Sequence, residues 1–127
     1  NYVKPELVDS DNSFIEAKEL RHPIIEQLLS KEKKKFVPND ITINSKQCYV
    51  LYGVNSVGKS SLLKSVGIST IMAQAGMYVS AKKFTICPYN KLFVRIGNTD
   101  IYLKHIVHLF VKFEKLVDVC LIVTINH

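Results

Sequence analysis

The sequence has few cysteines and no long apolar run, and each shortage argues against a class of protein. Three cysteines, Cys48, Cys87 and Cys120, are isolated from one another and odd in number. This pattern argues against a disulfide framework and a zinc cluster, and it is typical of a reducing compartment. No apolar run approaches the roughly 20 residues that a membrane-spanning helix needs, and no signal peptide opens the chain. We therefore expect an intracellular protein with no membrane partner.

The residues that are present suit one globular domain. Of the 127 residues, 47% are hydrophobic and 22% are charged, which is typical of a folded core. The formal net charge is +6, and much of the excess lies in Lys31, Lys33, Lys34 and Lys35. This cluster is either a solvated surface loop or a basic rim near nucleotide or DNA phosphates. Because the first residue is Asn1 and not Met, we expect a piece of a longer protein.

The hydrophobic pattern predicts strands that alternate with helices, and hence an α/β domain. Helices are predicted after Pro23, from about Gly58 to Ala75 with Gly76 as the stop, and from Ile106 to about Leu116. Strands are predicted at residues 14–17, around Ile41 and Ile43, at 48–53 as a buried strand, and at 77–79, 83–86, 92–96 and 119–124.

One segment carries a phosphate-binding pattern. The residues from Gly53 to Ser60 read GVNSVGKS, which fits G-x-x-x-x-G-K-[ST] between a predicted strand and a predicted helix. Its glycines let backbone N–H groups turn toward a phosphate, and the helix adds its positive dipole end. Lys59 is expected to reach the β- and γ-phosphates, and the Ser60 hydroxyl to complete a Mg²⁺ shell. The predicted cofactors are therefore ATP or ADP with Mg²⁺, and the alternative is an ordinary surface turn. The residues predicted to bind the phosphates are Gly53, Asn55, Ser56, Val57, Gly58, Lys59, Ser60 and Ser61.

Beyond this loop, the chain resembles the ATPase domain of MutS DNA mismatch-repair proteins. The landmarks, in the family's order, are YVKPEL (2–7), RHPIIEQLL (21–29), FVPNDI (36–41), MAQAGMYVSA (72–81) and KLFVRIGNTD (91–100). The resemblance implies a P-loop NTPase fold of the ABC-type ATPases, a mixed sheet flanked by helices, over residues 1–127 and incomplete there. It also implies ATP hydrolysis, composite sites across a homodimer or heterodimer, and a MutL-like partner. Mismatched DNA would be clamped by regions of the parent protein that this chain lacks.

The resemblance also implies roles for single residues. Phe36 would pack on the adenine, and Val37 and Pro38 would line the base pocket. Asn55 would contact a phosphate or orient a group of the partner subunit. Asp100 would link the nucleotide site to the rest of the parent protein. Alternatively, it is a turn aspartate after Gly97 and Asn98.

The sequence also departs from the family pattern. Ser80 stands where the family usually has proline, and the loop GVNSVGKSS is closer to divergent branches of giant viruses and octocoral mitochondria than to the bacterial enzymes. No apolar strand ending in Asp-Glu follows Lys59, and the Ser-rich signature is missing. Yet DVCLIVTINH resembles a later family strand that ends in a switch histidine. This histidine would be His127, and the resemblance implies that it is a second catalytic residue beside Lys59. We therefore expect either a break near residues 102–105, where a block of the family sequence is missing, or a degenerate copy.

Other interpretations stay open at this point. One is a different P-loop enzyme, such as a kinase or a transporter-type ATPase. Another is an inactive nucleotide-binding or dimerisation module. His105 and His108 lie three residues apart on a predicted helix, but no third metal ligand is visible, and we interpret them as surface histidines. His22 is interpreted as a structural part of the RHP turn.

Overall fold

The computed structural model describes residues 1–45, 47–53, 58–96, 109–115 and 118–126, with residues 95–96 and the last two ranges as backbone only. These ranges form a mixed α/β structure with two helices and two four-stranded mixed sheets. In chain order the elements are β1 (Glu6–Leu7), β2 (Phe14–Leu20), α1 (Pro23–Lys31), β3 (Asn39–Asn44), β4 (Cys48–Gly53), α2 (Lys59–Gln74), β5 (Lys83–Ile86), β6 (Lys91–Ile96), β7 (Leu109–Lys115) and β8 (Asp118–Asn126). Within the described ranges, neither helix is long and apolar enough to cross a membrane.

The first sheet contributes one of its faces to the buried core. Its strand order is β1-β5-β2-β3, with β1 parallel to β5 and the other pairs antiparallel. Along β2, Ile15 and Ala17 are buried while Glu16 and Lys18 are exposed, as expected for a strand with one face on the core. The predicted strands around Ile43 and at 83–86 are confirmed, and the strand predicted at 14–17 extends to residue 20.

The second sheet has the order β4-β8-β7-β6. The edge strand β4 runs parallel to its neighbour β8, with Cys48 opposite Leu121 and Gly53 opposite Asn126. The pairs β8–β7 and β7–β6 are antiparallel. Because β4 and β8 are parallel, their carboxyl ends meet at one edge of the sheet, which is where ligands bind in many α/β folds.

Two of the three predicted helices, α1 and α2, are present near their expected bounds. His22 is the N-cap of α1, and its Nδ1 accepts a hydrogen bond from the Ile25 N–H over 3.3 Å. The structural role predicted for His22 is therefore confirmed. Helix α2 buries an apolar face that includes Leu63 and Val66. It ends before Gly76, whose φ of +76° is a left-handed conformation that suits the predicted glycine stop.

Three secondary-structure predictions are wrong. The helix predicted from Ile106 to Leu116 is contradicted by β7, a strand at 109–115 between β6 and β8. The alternation of apolar and charged residues from Val111 to Glu114, with an aromatic at Phe113, fits a period of two and favours a strand. Residues 77–79 form no strand and contribute only an isolated bridge between Val79 and Val3. Strand β4 is not buried, because every second residue along it is exposed.

Candidate functional site

The candidate site begins where β4 ends and α2 starts. Gly58 is the N-cap of α2, with a φ of +91° and no side-chain capping hydrogen bond. Glycine adopts this left-handed conformation without steric cost. The amides in the first turn of any α-helix lack intrahelical acceptors, and the helix dipole is positive there. The sequence therefore directs hydrogen-bond donors and positive potential toward the end of β4.

Lys59 adds a full positive charge at the same point. Its side chain is mostly buried, with 8% of the residue exposed, and its Nζ donates a hydrogen bond to the carbonyl oxygen of Gly53. A buried ammonium is costly unless polar atoms surround it. The hydrogen bond to Gly53 thus holds the Lys59 ammonium against the end of β4, beside the start of α2. An anion at this position would meet the ammonium and the helix amides together.

A cavity of about 590 Å³ opens beside these groups. This volume lies within the range of small-molecule binding sites. One part of its wall is apolar and includes Phe36, while another part carries the helix start with Gly58 and Lys59. The residues that line it are Ile25, Leu29, Lys35, Phe36, Val37, Asn39, Leu51, Tyr52, Gly58, Lys59, Ser61 and Leu62. The cavity therefore joins an aromatic and aliphatic wall to a cationic helix terminus.

Comparison with known proteins decides the family. The sequence model described as MutS domain V matches residues 49–121 of the chain. The chain belongs to the MutS family. It is 44% identical over 107 residues to the mitochondrial DNA mismatch repair protein mutS homolog of Sarcophyton glaucum, across 80% of the chain. It is 38% and 43% identical over 102 residues to the DNA mismatch repair proteins MutS of Desulfosudis oleivorans and Clostridium kluyveri, across 79% of the chain. The chain spans 11% of the length of each of these relatives.

The structure brings only some of the predicted MutS site residues together. Phe36 is half-buried and lines the cavity with the more exposed Val37, as do Gly58, Lys59 and Ser61. Pro38 and Ser60 are exposed and are not among the described lining residues. Gly53 contributes its carbonyl to Lys59. The remaining predictions concern positions outside the described residues: Asn55, Ser56, Val57, Asp100, His105, His108, His127 and the expected break near 102–105.

Some lining residues were missed by sequence reasoning. Ile25 and Leu29 belong to the segment RHPIIEQLL, to which the sequence assigned no site role, yet both line the cavity. Their spacing of four places them on one helix face, but periodicity does not tell a ligand-facing wall from a core-facing one. Asn39 and Tyr52 carried no signal beyond their closeness to FVPNDI and to the phosphate loop.

The lysine cluster lies on the surface, next to the candidate site at one end. Lys31, Lys33, Lys34 and Lys35 are exposed, and Lys34 pairs with Glu32 at 2.8 Å. Only Lys35 of the four lines the cavity. The cluster is thus a solvated surface whose last residue reaches the rim of the candidate site.

An ion pair and a hydrogen bond fix the helix that carries Ile25 and Leu29. Arg21 Nε lies 2.9 Å from Glu26 Oε1, and both side chains are largely shielded from solvent. The Ser80 hydroxyl donates to Glu26 Oε2 over 3.1 Å, and the Arg21 N–H donates to the Ser80 carbonyl over 2.9 Å. The residue that departs from the usual family proline thus holds α1 against the segment before β5.

Burial controls the protonation of the helix cap. Removal from water, and then the positive charge of Lys64, lower the pKa of His22 below its ordinary value of 6.5. The neutral imidazole is the form that accepts the Ile25 N–H at Nδ1. Burial therefore favours the protonation state that caps α1.

Proposed function

We propose that this MutS-family chain binds ATP or ADP with Mg²⁺, as part of the ATPase domain of a DNA mismatch-repair protein. The observation that carries the proposal is the cavity that runs from Phe36 to Lys59 and the start of α2. Such a cavity suits a purine nucleotide, because a flat base favours an aromatic and aliphatic wall and phosphates favour an ammonium with helix amides. The G-x-x-x-x-G-K-S pattern and the membership in the MutS family support the same assignment.

Each part of the nucleotide has a proposed partner. Phe36 and Val37 would pack against the base, and Lys59 would exchange its contact with Gly53 for one with the β- and γ-phosphates. The loop residues from Asn55 to Val57 would add backbone amides. Mg²⁺ is usually held by substrate phosphates and a few protein oxygens, and the exposed hydroxyl of Ser60 would supply one of them. There Mg²⁺ would neutralise phosphate charge.

The wider assignment rests on the family. We infer a P-loop NTPase fold of the ABC type, with composite sites in a homodimer or heterodimer and an intracellular location. Contact with mismatched DNA and with a MutL-like partner would involve other regions of the parent protein. Nucleotide state would be coupled to the clamp on DNA through those regions.

Binding is expected to exceed hydrolysis for these residues alone. Hydrolysis by in-line attack of water needs an acidic group near the γ-phosphate, and no apolar strand ending in Asp-Glu follows Lys59. A protein of only these 127 residues should therefore bind ATP and release no phosphate above background in a turnover assay. Steady phosphate release that depends on Lys59 would contradict this expectation.

The direct test of nucleotide binding is Lys59→Ala. We expect ATP and ADP to bind the variant about 10- to 100-fold more weakly by calorimetry, because one charge-assisted contact with phosphate is lost. Lys64→Ala is the matched control, since Lys64 is an exposed lysine of the same helix that does not line the cavity. The proposal fails if the unmodified protein binds neither nucleotide, or if both variants bind them equally well.

A further inference from the structure

A dense positive charge lies beside the cavity, in the lysine cluster. Residues 31–35 read KEKKK and carry a formal charge of +3, half of the chain's formal net charge of +6. All four lysines are exposed, and Lys35 lines the cavity. The cluster lies outside residues 49–121, which the model of MutS domain V matches, so the match to that model does not account for it.

The backbone of the cluster is fixed to the end of helix α1. The Lys33 N–H donates to the Ser30 carbonyl over 3.1 Å. The Lys34 N–H donates over 2.9 Å to the carbonyl of Leu29, a residue that lines the cavity. Lys33 has a φ of +59°, the left-handed conformation that this kind of helix end requires and that glycine adopts at lower cost. The structure thus holds the cluster at the cavity wall and places a charged residue where glycine is favoured.

The acidic residues around the cavity leave this positive charge in place. Those between Pro23 and Asn44 are each paired with a cation: Glu26 with Arg21 at 2.9 Å, Glu32 with Lys34 at 2.8 Å and Asp40 with Lys18 at 2.8 Å. Among the described lining residues two are lysines, Lys35 and Lys59, and none is acidic. Residues 54–57, between β4 and α2, contain no acidic residue either. An anion that approaches Lys59 past the cluster therefore meets positive charge and no unpaired carboxylate of α1 or β3.

We propose that the lysine cluster attracts nucleotide anions from solution and guides them into the cavity. ATP and ADP stay negatively charged with Mg²⁺ bound, and a cleft lined by charge of one sign raises the association rate of ligands of the opposite sign. Lys31, Lys33 and Lys34 are not among the described lining residues, so they would act at a distance, on the association rate more than on the bound nucleotide. This inference rests on the proposed nucleotide binding and adds residues that control how fast the nucleotide enters.

The test measures how fast ATP associates with the full-length protein. Stopped-flow mixing with ATP that carries a fluorophore on the ribose gives the association and dissociation rate constants separately. We expect Lys31→Gln combined with Lys33→Gln to lower the association rate constant about 3- to 10-fold at low ionic strength and to leave the dissociation rate constant unchanged. The difference should shrink as salt is added, because the Debye length falls from about 10 Å at about 0.1 M to about 3 Å at about 1 M.

The matched control removes the same charge at another place. Lys4→Gln combined with Lys83→Gln lowers the net charge by as much, at two exposed lysines that are not among the described lining residues. Lys4 precedes β1, and Lys83 begins β5, on the side of the first sheet away from β3. We expect this control to change the association rate constant less than about 2-fold, because solvent and salt screen distant charges.

The rate constants separate the possible failures. If the unmodified protein binds no ATP, the proposed function itself fails. If it binds ATP and both double variants slow association equally, only the total charge matters, and the role of the cluster is overturned while nucleotide binding stands. A loss confined to the dissociation rate constant would also overturn it, since it would show direct contact with the bound nucleotide. Unchanged ATP association in the Lys31 and Lys33 variant overturns it too, and weaker binding of that variant to a DNA duplex would then assign the cluster to nucleic acid.

Discussion

Strands of the two sheets differ in how deeply their described apolar side chains are buried. In the first sheet, Ile15, Phe84 and Ile86 are at most 1% exposed. In the second sheet, Val50 is 53% exposed and Tyr52 is 76% exposed, although both lie in β4, the strand that leads to the phosphate loop. Among the side chains that the structure describes, these three residues of the first sheet are thus far more deeply buried than Val50 and Tyr52, and the candidate site lies at the end of the more exposed strand.

The two regions therefore serve different properties: the buried strands contribute to stability, and the end of β4 forms the candidate binding site. The buried residues of the first sheet belong to the core, whose burial is a main source of hydrophobic stabilisation. The end of β4 is shaped instead by a positive-φ glycine, a buried ammonium and a cavity, none of which is a good source of folding free energy. Substitutions in the two regions should therefore differ in both size and kind of effect.

The largest expected difference is between two phenylalanines. Phe84 lies in β5 and is 1% exposed, whereas Phe93 lies in β6 and is 46% exposed. Phe84→Ala should lower the free energy of unfolding by about 3–5 kcal/mol, because it removes a buried ring and leaves a cavity. Phe93→Ala should cost about 1 kcal/mol, because much of that ring is already in water. Urea unfolding followed by circular dichroism measures both.

Equal losses at the two positions would contradict the difference in burial between them. They would mean that the half-exposed ring of Phe93 contributes as much to stability as the buried ring of Phe84. An unchanged stability in Phe84→Ala would contradict it more directly, since no relaxation of the core should recover a whole buried ring.

The sequence predicted local elements better than the way they pack. The helix α2 and the strand β3 could be predicted because their apolar residues repeat at the periods of a helix and a strand. The exposure of β4 could not, because the run CYVLYG is apolar at most positions and burial depends on what packs against each face. The cavity wall was predicted in part, since Phe36 and Lys59 belong to recognisable motifs. Asn39 and Leu29 were missed because they come together only through the tertiary fold.

A smaller effect on stability should distinguish two glycines, Gly58 and Gly67, that differ in backbone conformation. Gly58 has a φ of +91°, so Gly58→Ala should lower the free energy of unfolding by about 1–2 kcal/mol through backbone strain. A Cβ there would meet no atom within 4 Å, so the cost is conformational and not a clash. Gly67 lies inside α2, and its Cβ would also meet nothing within 4 Å. Gly67→Ala should therefore stabilise the protein by about 0.5–1 kcal/mol.

For these two variants, the informative result is the sign of the change in the free energy of unfolding. Thermal unfolding of both variants, with Gly58→Asn as a third, measures it. Asparagine tolerates the left-handed region better than alanine, so it should recover part of the loss at position 58. A gain of stability in Gly58→Ala would mean that the start of α2 does not require a left-handed residue.

The smallest expected effect is a pH dependence that comes from the cap of α1. Burial and then the charge of Lys64 lower the pKa of His22 below 6.5, so at acid pH the unfolded chain takes up a proton that the folded protein resists. The contribution of His22 to stability is therefore fully present above pH 6.5, and it decreases as the pH falls below 6.5 toward the folded-state pKa.

His22→Asn keeps a side-chain oxygen that can accept the Ile25 N–H, but it removes the titration. Comparing urea midpoints at about pH 7.5 and about pH 5.5 should show a smaller acid loss in His22→Asn than in the unmodified protein. The other histidines are common to both proteins and cancel in that difference, so an equal acid loss in the two would show that the cap of α1 is not a source of the pH dependence.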